Sequence, residues 1–170
     1  FQGQLYFRAA VSSTTSRLWR SDGTEGGTEE LLWGGITAPD HLTVVGNTLF
    51  FIASYIPPGL NSYRDRELWK SDGTEGGTAL VKDIRPGLDP SLGEHLTAVG
   101  DTLYFAAWDG VNGKELWKSD GTEGGTVMVE DILPGSDSSR PSELLEMDGS
   151  LFFVADDGTH GPELWMSDGT

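Results

Sequence analysis

Paired carboxylates recur along this sequence, each pair inside a glycine-rich stretch. Asp72 and Glu75 lie in Asp-Gly-Thr-Glu-Gly-Gly, and the pattern returns at Asp22/Glu25, Asp120/Glu123 and Asp168. A ring of such acids could attract calcium, but calcium prefers about six to eight oxygen ligands. Two acids three residues apart also fall short of the aspartate-rich calcium loop. We therefore predict that the aspartate caps a turn and the glutamate is solvated, with no cofactor; calcium is the alternative.

Two histidines, His41 and His95, occupy equivalent positions, with Glu143 as the third member of the set. Imidazole and carboxylate groups together could hold zinc or another transition metal. A wide ring of repeats would separate them too far for that, so we predict that they line the mouth of a central channel and bind ligand rather than metal. His160 has no equivalent and is predicted to be a loop residue.

Aromatic side chains mark a second candidate surface. Trp108 lies where the other repeats carry Ala10, Ser54 and Asp156. Exposed tryptophan and tyrosine often stack on sugars or anchor peptides. The segment 54–66 contains a six-residue expansion that adds further candidates. We predict ligand contact through this variable surface by Trp108, Tyr55, Tyr63 and Arg64, with local packing as the alternative for Trp108.

Enzyme chemistry finds few matching patterns. The sequence has no Gly-x-Ser-x-Gly, no phosphate-binding glycine loop and no His-Glu-x-x-His. A glycosidase needs two carboxyl groups about 5 to 10 Å apart. Asp156 and Asp157 are the candidates for such a pair because they lie on the variable surface, where we also predict that they contact the ligand. No catalytic residue is predicted.

Charge excludes several classes of partner. The 170 residues include 27 acidic and 11 basic side chains, a net charge of -16. Such a chain repels phosphate backbones and anionic headgroups, so we predict neither nucleic-acid binding nor direct membrane insertion. No cysteine is present, which excludes disulfides and thiolate chemistry.

These candidates sit on a repeated framework. Residues 67–78 return unchanged as 115–126, an earlier copy spans 17–28, and a fourth begins at Glu163. Within one repeat, β-branched and aromatic residues predict strands at 95–99, 102–107, 114–119 and 126–132. Glycine, aspartate and proline separate them. Four tryptophans in matching positions are predicted to form the core between neighbouring repeats: Trp19, Trp69, Trp117 and Trp165.

Four antiparallel strands per repeat of about 48 residues are typical of a β-propeller blade. We predict a single all-β propeller over 1–170, with about 3.5 repeats. Its divisions are a partial blade at 1–34, blades at 35–84 and 85–132, and a partial blade at 133–170. The ring would then be completed by further blades or by self-association. The strand-B-to-C and strand-D-to-A loops would share one face, where the repeats differ most.

The motif Glu-Leu-Trp-x-x-Asp-Gly-Thr begins at Glu67, Glu115 and Glu163, and at Arg17 with arginine in place of glutamate. It resembles the bacterial ELWxxDGT repeat proteins, sometimes called hyalin-repeat proteins, over essentially the whole chain. The resemblance implies a secreted or cell-surface bacterial protein with propeller-like repeats, and implies no activity.

Taken together, these patterns predict a non-catalytic binding or adhesion module. Its ligand would be a carbohydrate, a peptide or a surface protein, bound on the variable loop face. The alternatives are a propeller glycosidase or lyase completed by further blades, and a purely structural repeat spacer.

Overall fold

The computed structural model describes residues 1–13, 15–31, 34–56, 66–87, 90–91 and 93–169. Over these residues the chain forms fourteen strands in four antiparallel sheets of three, four, four and three strands. The predicted all-β class is therefore confirmed. The same residues contain no helix, and hence none of the length and apolarity needed to cross a bilayer.

Each sheet is a simple up-and-down meander of consecutive strands. The first sheet contains β1 (Leu5–Ala10), β2 (Ser16–Ser21) and β3 (Glu29–Glu30). The second contains β4 (Ile36–Val45), β5 (Thr48–Tyr55), β6 (Arg66–Ser71) and β7 (Ala79–Lys82). The third contains β8 (Glu94–Val99), β9 (Thr102–Trp108), β10 (Lys114–Ser119) and β11 (Val127–Glu130). The fourth contains β12 (Ser142–Met147), β13 (Ser150–Asp156) and β14 (Pro162–Ser167).

Strands β5 and β9 are buried on both faces, which explains their nearly continuous apolar sequence. In β9, Leu103 to Ala107 are all buried. In every sheet an aromatic residue pairs directly with the motif tryptophan, as Phe105 does with Trp117 and Phe51 with Trp69. The repeat thus encodes one strand register four times.

Neighbouring sheets pack face to face, and three apolar clusters fill the spaces between them. We name these spaces the first, second and third junctions in chain order. Leu18 and Phe51 belong to the cluster of the first junction, and Ile52 and Phe105 to that of the second. Leu116 and Phe153 belong to the cluster of the third. Burial of these side chains is the main stabilising term for each junction.

The Asp-Gly-Thr-Glu-Gly-Gly stretch forms the predicted capped turn. Asp120 Oδ1 accepts hydrogen bonds from the backbone N–H (2.8 Å) and hydroxyl (2.7 Å) of Thr122. These bonds lower the pKa of Asp120, and the equivalent bonds lower the pKa of Asp22 and of Asp72. Gly121 has a φ of 86°, which favours glycine. Gly125 is required for another reason, because a Cβ there would collide with the Asp120 carboxylate.

A basic residue of each of the first three motifs binds the turn of the next sheet. Lys70 Nζ donates to the Gly121 carbonyl (2.7 Å), and Lys118 Nζ donates to the Gly169 carbonyl (2.5 Å). Arg20 makes a longer bond of the same kind, 3.5 Å, to the Gly73 carbonyl. The fourth motif carries methionine, Met166, at this position, and this side chain is exposed.

The glutamate that opens the motif is a buried anchor for the connection to the next sheet. Glu115 is fully buried and accepts from the backbone N–H groups of Ile132 (3.1 Å) and Ser139 (2.9 Å) and from the Ser139 hydroxyl (2.5 Å). Glu67 binds the N–H groups of Ile84 (3.0 Å) and Ser91 (3.1 Å) in the same way. Burial raises the pKa of Glu115, and the bonds from Ser139 and Ile132 oppose that rise.

Candidate functional site

The motif tryptophans pack differently at the first two junctions. At the second junction Trp117 is only 6% exposed. It shares a cluster with Val81 and Ile84, and Lys82 Nζ lies 5.9 Å from the centre of its ring. Trp69, its equivalent at the first junction, is half-buried and lines a pocket. The prediction of a core role for all four tryptophans therefore describes Trp117 better than Trp69; Trp19 and Trp165 are also half-buried.

The pocket has a cause in the sequence. Counted from the shared motif, Gly34 occupies the position of Ile84, whose side chain is buried in the cluster around Trp117. The first connection between sheets comprises only residues 31–35, whereas the second comprises 83–93. Gly34 therefore provides no side chain to pack beside Trp69 in the way that Ile84 packs in the cluster of Trp117. Gly34 itself lines the pocket.

The pocket has a volume of about 190 Å³. Its walls combine two aromatic rings, apolar chain and one carboxylate, and its lining residues are Gly34, Ile36, Tyr55, Trp69, Glu75 and Thr78. The rings of Tyr55 and Trp69 are 6.1 Å apart between centroids and inclined at 43°. Tyr55, a predicted ligand residue, is 36% exposed. Two inclined rings beside an acceptor group suit a flat ligand that has both apolar and hydroxyl-bearing faces.

Glu75 supplies the polar group of the pocket. Its carboxylate makes no hydrogen bond or ion pair with any residue that the structure describes. Thr78, in contrast, donates its hydroxyl to the Thr74 carbonyl (2.6 Å) within the turn. The pocket therefore presents an uncommitted acceptor at one wall, as the prediction of a solvated glutamate requires.

Trp108, the aromatic residue singled out from the sequence, is already stacked. The Arg85 guanidinium carbon lies 3.7 Å from the centre of its ring, a cation–π contact. Its backbone N–H donates to the Ser91 carbonyl (2.9 Å), which ties the third sheet to the incoming connection. This geometry supports the local-packing alternative for one face of the ring.

His41, His95 and Glu143 share an unusual backbone conformation, with φ between 52° and 57°. Each lies within a short stretch over which the pairing register of its strand shifts. All three are exposed. No set of metal-ligating atoms within the described ranges contains any of them, so the structure does not bring this trio together.

Asp156 and Asp157 organise the turn that follows β13. Asp156 Oδ1 accepts from the Gly158 N–H (2.7 Å), and Asp157 Oδ1 accepts from the N–H groups of Thr159 (2.8 Å) and His160 (3.1 Å). Those backbone bonds lower the pKa of Asp157. Both carboxylates are thus turn caps in this structure, and His160 lies in the loop as predicted.

Asp157, His160 and Glu163 bring three potential metal-ligating atoms within 4.8 Å of one another. Glu163 and His160 are exposed. Glu163 is the counterpart of Glu67 and Glu115, whose carboxylates bind backbone N–H groups of the following connection. The exposed Glu163 carboxylate makes no such bond among the residues that the structure describes.

The predicted ligand residues do not converge on one site. Tyr55 lines the first-junction pocket, His95 lines a cavity at the third junction, and Trp108 stacks on Arg85. Tyr63 and Arg64 lie outside the described residues. Sequence reasoning missed Trp69, Glu75 and Gly34 as pocket residues. The signal that could have identified them was the glycine that replaces Ile84 in a shortened connection.

Comparisons with known proteins bear on the fold alone. No family model matches the chain, and no curated protein matches it. One solved structure, from a structural and mechanistic analysis of two prolyl endopeptidases, is similar with a TM-score of 0.61 and 14% sequence identity. The similarity covers 99% of this chain and 25% of that one. The chain therefore spans about a quarter of the length of the protein it resembles.

Proposed function

We propose that this chain is a non-catalytic binding module that holds a saccharide in the pocket between Tyr55 and Trp69. The observation that carries the proposal is the pairing of two inclined aromatic rings with an uncommitted carboxylate, that of Glu75. Sugar rings present C–H groups that pack on aromatic faces, and their hydroxyls donate to a carboxylate.

A binding role fits this pocket better than glycoside hydrolysis. Glycosidases use two carboxyl groups on either side of the scissile bond. Among the described residues that line the pocket, Glu75 is the one with a carboxylate. The pocket therefore offers recognition groups but lacks the second carboxylate of a hydrolase.

The module is proposed to belong to a β-propeller of ELWxxDGT repeats, with the four sheets as its blades. Further blades or self-association would complete the ring and cover the apolar side chains of β14, where Leu164 and Met166 are 73% and 64% exposed. The resemblance to ELWxxDGT repeat proteins supports a location outside the cell or on its surface. A peptide or surface protein is the alternative ligand, and calcium at the capped turns stays an untested alternative.

Glycan-array screening followed by calorimetry tests the proposal. We expect a neutral saccharide ligand whose affinity falls about tenfold or more in Tyr55→Ala, which removes an aromatic wall, and in Glu75→Gln, which removes the charge that strengthens hydrogen bonds from sugar hydroxyls. Glu123→Gln is the matched control, because Glu123 occupies the same position of an identical turn at the third sheet. Binding of a neutral saccharide that survives both pocket variants, or the absence of any neutral saccharide ligand, would overturn the proposal.

A further inference from the structure

A second cavity, of about 340 Å³, lies at the third junction. This volume falls within the range of small-molecule sites, about 300 to 1,000 Å³. Its lining is almost entirely polar and comprises Glu94, His95, Lys114, Ser138, Arg140, Pro141 and Ser142. None of these residues lines the Tyr55–Trp69 pocket.

The charge of this cavity differs from that of the equivalent place at the second junction. Counting back 48 residues, Arg140 corresponds to Leu92 and Ser142 corresponds to Glu94. The third junction has therefore gained a cation and lost an anion relative to its neighbour. The described lining carries two basic side chains and one acidic side chain. The chain as a whole has a net charge of -16, so most of its surface repels anions.

The two cationic residues are held next to each other by the backbone. The Arg140 N–H donates to the Lys114 carbonyl (3.2 Å), and the Lys114 N–H donates to Ser138 Oγ (2.8 Å). Ser139, which precedes Arg140 in the connection, donates hydrogen bonds to the buried Glu115 carboxylate. The buried anchor of the repeat thus sets the position of Arg140 at the edge of the third sheet.

Only one of the two cations is neutralised. Lys114 Nζ pairs with Glu94 Oε2 at 2.8 Å. The exposed Arg140 guanidinium has no hydrogen-bond or ion-pair partner among the residues that the structure describes. A guanidinium presents a fork of N–H donors that matches a carboxylate, and a charge-assisted pair of this kind is among the stronger polar contacts.

We infer that this cavity binds the carboxylate of an acidic saccharide, with Arg140 as the group that recognises the charge. The same cavity is lined by Ser138, Ser142, His95 and Glu94, which carry hydroxyl, imidazole and carboxylate groups. These groups suit the hydroxyls of a sugar ring. The lining has one apolar residue, Pro141, and so offers little contact to the side chains of a peptide.

Calorimetry with a galacturonic acid trisaccharide and its methyl ester tests this site. We expect the acid to bind and the ester, which lacks the charge, to bind at least about tenfold more weakly. Arg140→Leu, which restores the residue type of position 92, should abolish the difference between the two ligands. Arg140→Lys should retain part of it, and Arg8→Gln, which removes a positive charge from the first sheet, should leave it unchanged.

Three results from the wild type and from Arg140→Leu would overturn the inference. The first is equal affinity for acid and ester, and the second is unchanged acid binding in a folded Arg140→Leu variant. The third is tighter binding of a short peptide with a free carboxyl terminus than of the trisaccharide, which would assign the site to a peptide. Tyr55→Ala separates the two proposals: it should leave galacturonate affinity unchanged, and loss of that affinity would place the ligand in the first-junction pocket and contradict this inference.

Discussion

The first and second junctions join sheets of the same design, yet one is open beside its tryptophan and the other is filled. Trp117 packs with Val81 and Lys82 of the preceding sheet and with Ile84 of the connection that follows that sheet. Trp69 faces a short connection with Gly34 in the corresponding place and lines a pocket. The identical motif residue is therefore a packing element in one junction and a wall of a pocket in the other.

The motif and the connections between sheets therefore determine different properties of the structure. The motif fixes the strand register in all four sheets, the capped turn in the first three and the buried glutamate in the second and third. The connections between sheets differ in length and composition, and they set the shape and charge of the cavities. Both described cavities lie where a connection departs from its neighbours.

The largest expected effect is the loss of Trp117. Trp117→Ala should reduce the free energy of unfolding by about 3 to 5 kcal/mol, because it removes a large side chain from a filled junction. Trp69→Ala should cost clearly less, because Trp69 is half-buried beside a pocket. Urea unfolding of both variants measures the difference. Equal losses, or a loss below about 1 kcal/mol for Trp117→Ala, would remove the distinction between the junctions.

The next effect concerns the buried anchor. Glu115→Ala should cost about 1 to 3 kcal/mol, because it leaves the N–H groups of Ile132 and Ser139 without their acceptor. Glu163→Ala is the matched control, since Glu163 is the exposed counterpart in the fourth sheet. Similar unfolding free energies for the two variants would show that the carboxylate anchor contributes nothing.

A smaller effect is expected at the contact between sheets. Lys70→Met places the residue of the fourth motif in the second and removes the bond to the Gly121 carbonyl. The expected loss is about 0.5 to 1.5 kcal/mol, the usual net value of one hydrogen bond. A Lys70→Arg variant should retain most of the stability. An unchanged unfolding free energy for Lys70→Met would show that the bond is not stabilising.

The pH dependence of Glu115 is expected to be small but has a definite sign. Burial raises its pKa above the ordinary value of 4.5, so the folded state holds the proton more tightly than the unfolded state. The resulting stabilisation is fully present below about pH 4.5 and is lost as the pH rises through the raised pKa. The stability of the wild type relative to Glu115→Gln should therefore fall between pH 4 and neutral pH. A rise over that interval would mean that hydrogen bonding to the carboxylate outweighs its burial.

The framework could be predicted from the sequence because the repeat encodes it locally. The strands expected at 102–107 and 114–119 match β9 and β10 within one residue, and the Asp120 cap forms as predicted. The strand expected at 126–132 is shorter, Val127–Glu130, because the Ile132 N–H turns to bind Glu115.

The candidate sites could not be predicted in the same way, because they depend on contacts between sheets. The sequence shows Glu115 as an acid within a strand, and its burial arises only when residues 131–141 fold over it. The pocket beside Trp69 is lined by Gly34 of the preceding connection, a residue without a side chain. Neither property is encoded in the motif itself.

Fluorine NMR of the protein labelled with 5-fluorotryptophan measures directly whether a saccharide binds beside Trp69 and not beside Trp117. The resonance of each tryptophan is assigned from single substitutions, and a saccharide found on the array is then titrated. If a neutral saccharide binds between Tyr55 and Trp69, we expect the Trp69 resonance to shift and the Trp117 resonance to stay unchanged. Tyr55→Ala should abolish the shift. A neutral saccharide that binds while the Trp69 resonance stays unchanged, or that shifts the Trp117 resonance instead, would contradict the proposed site.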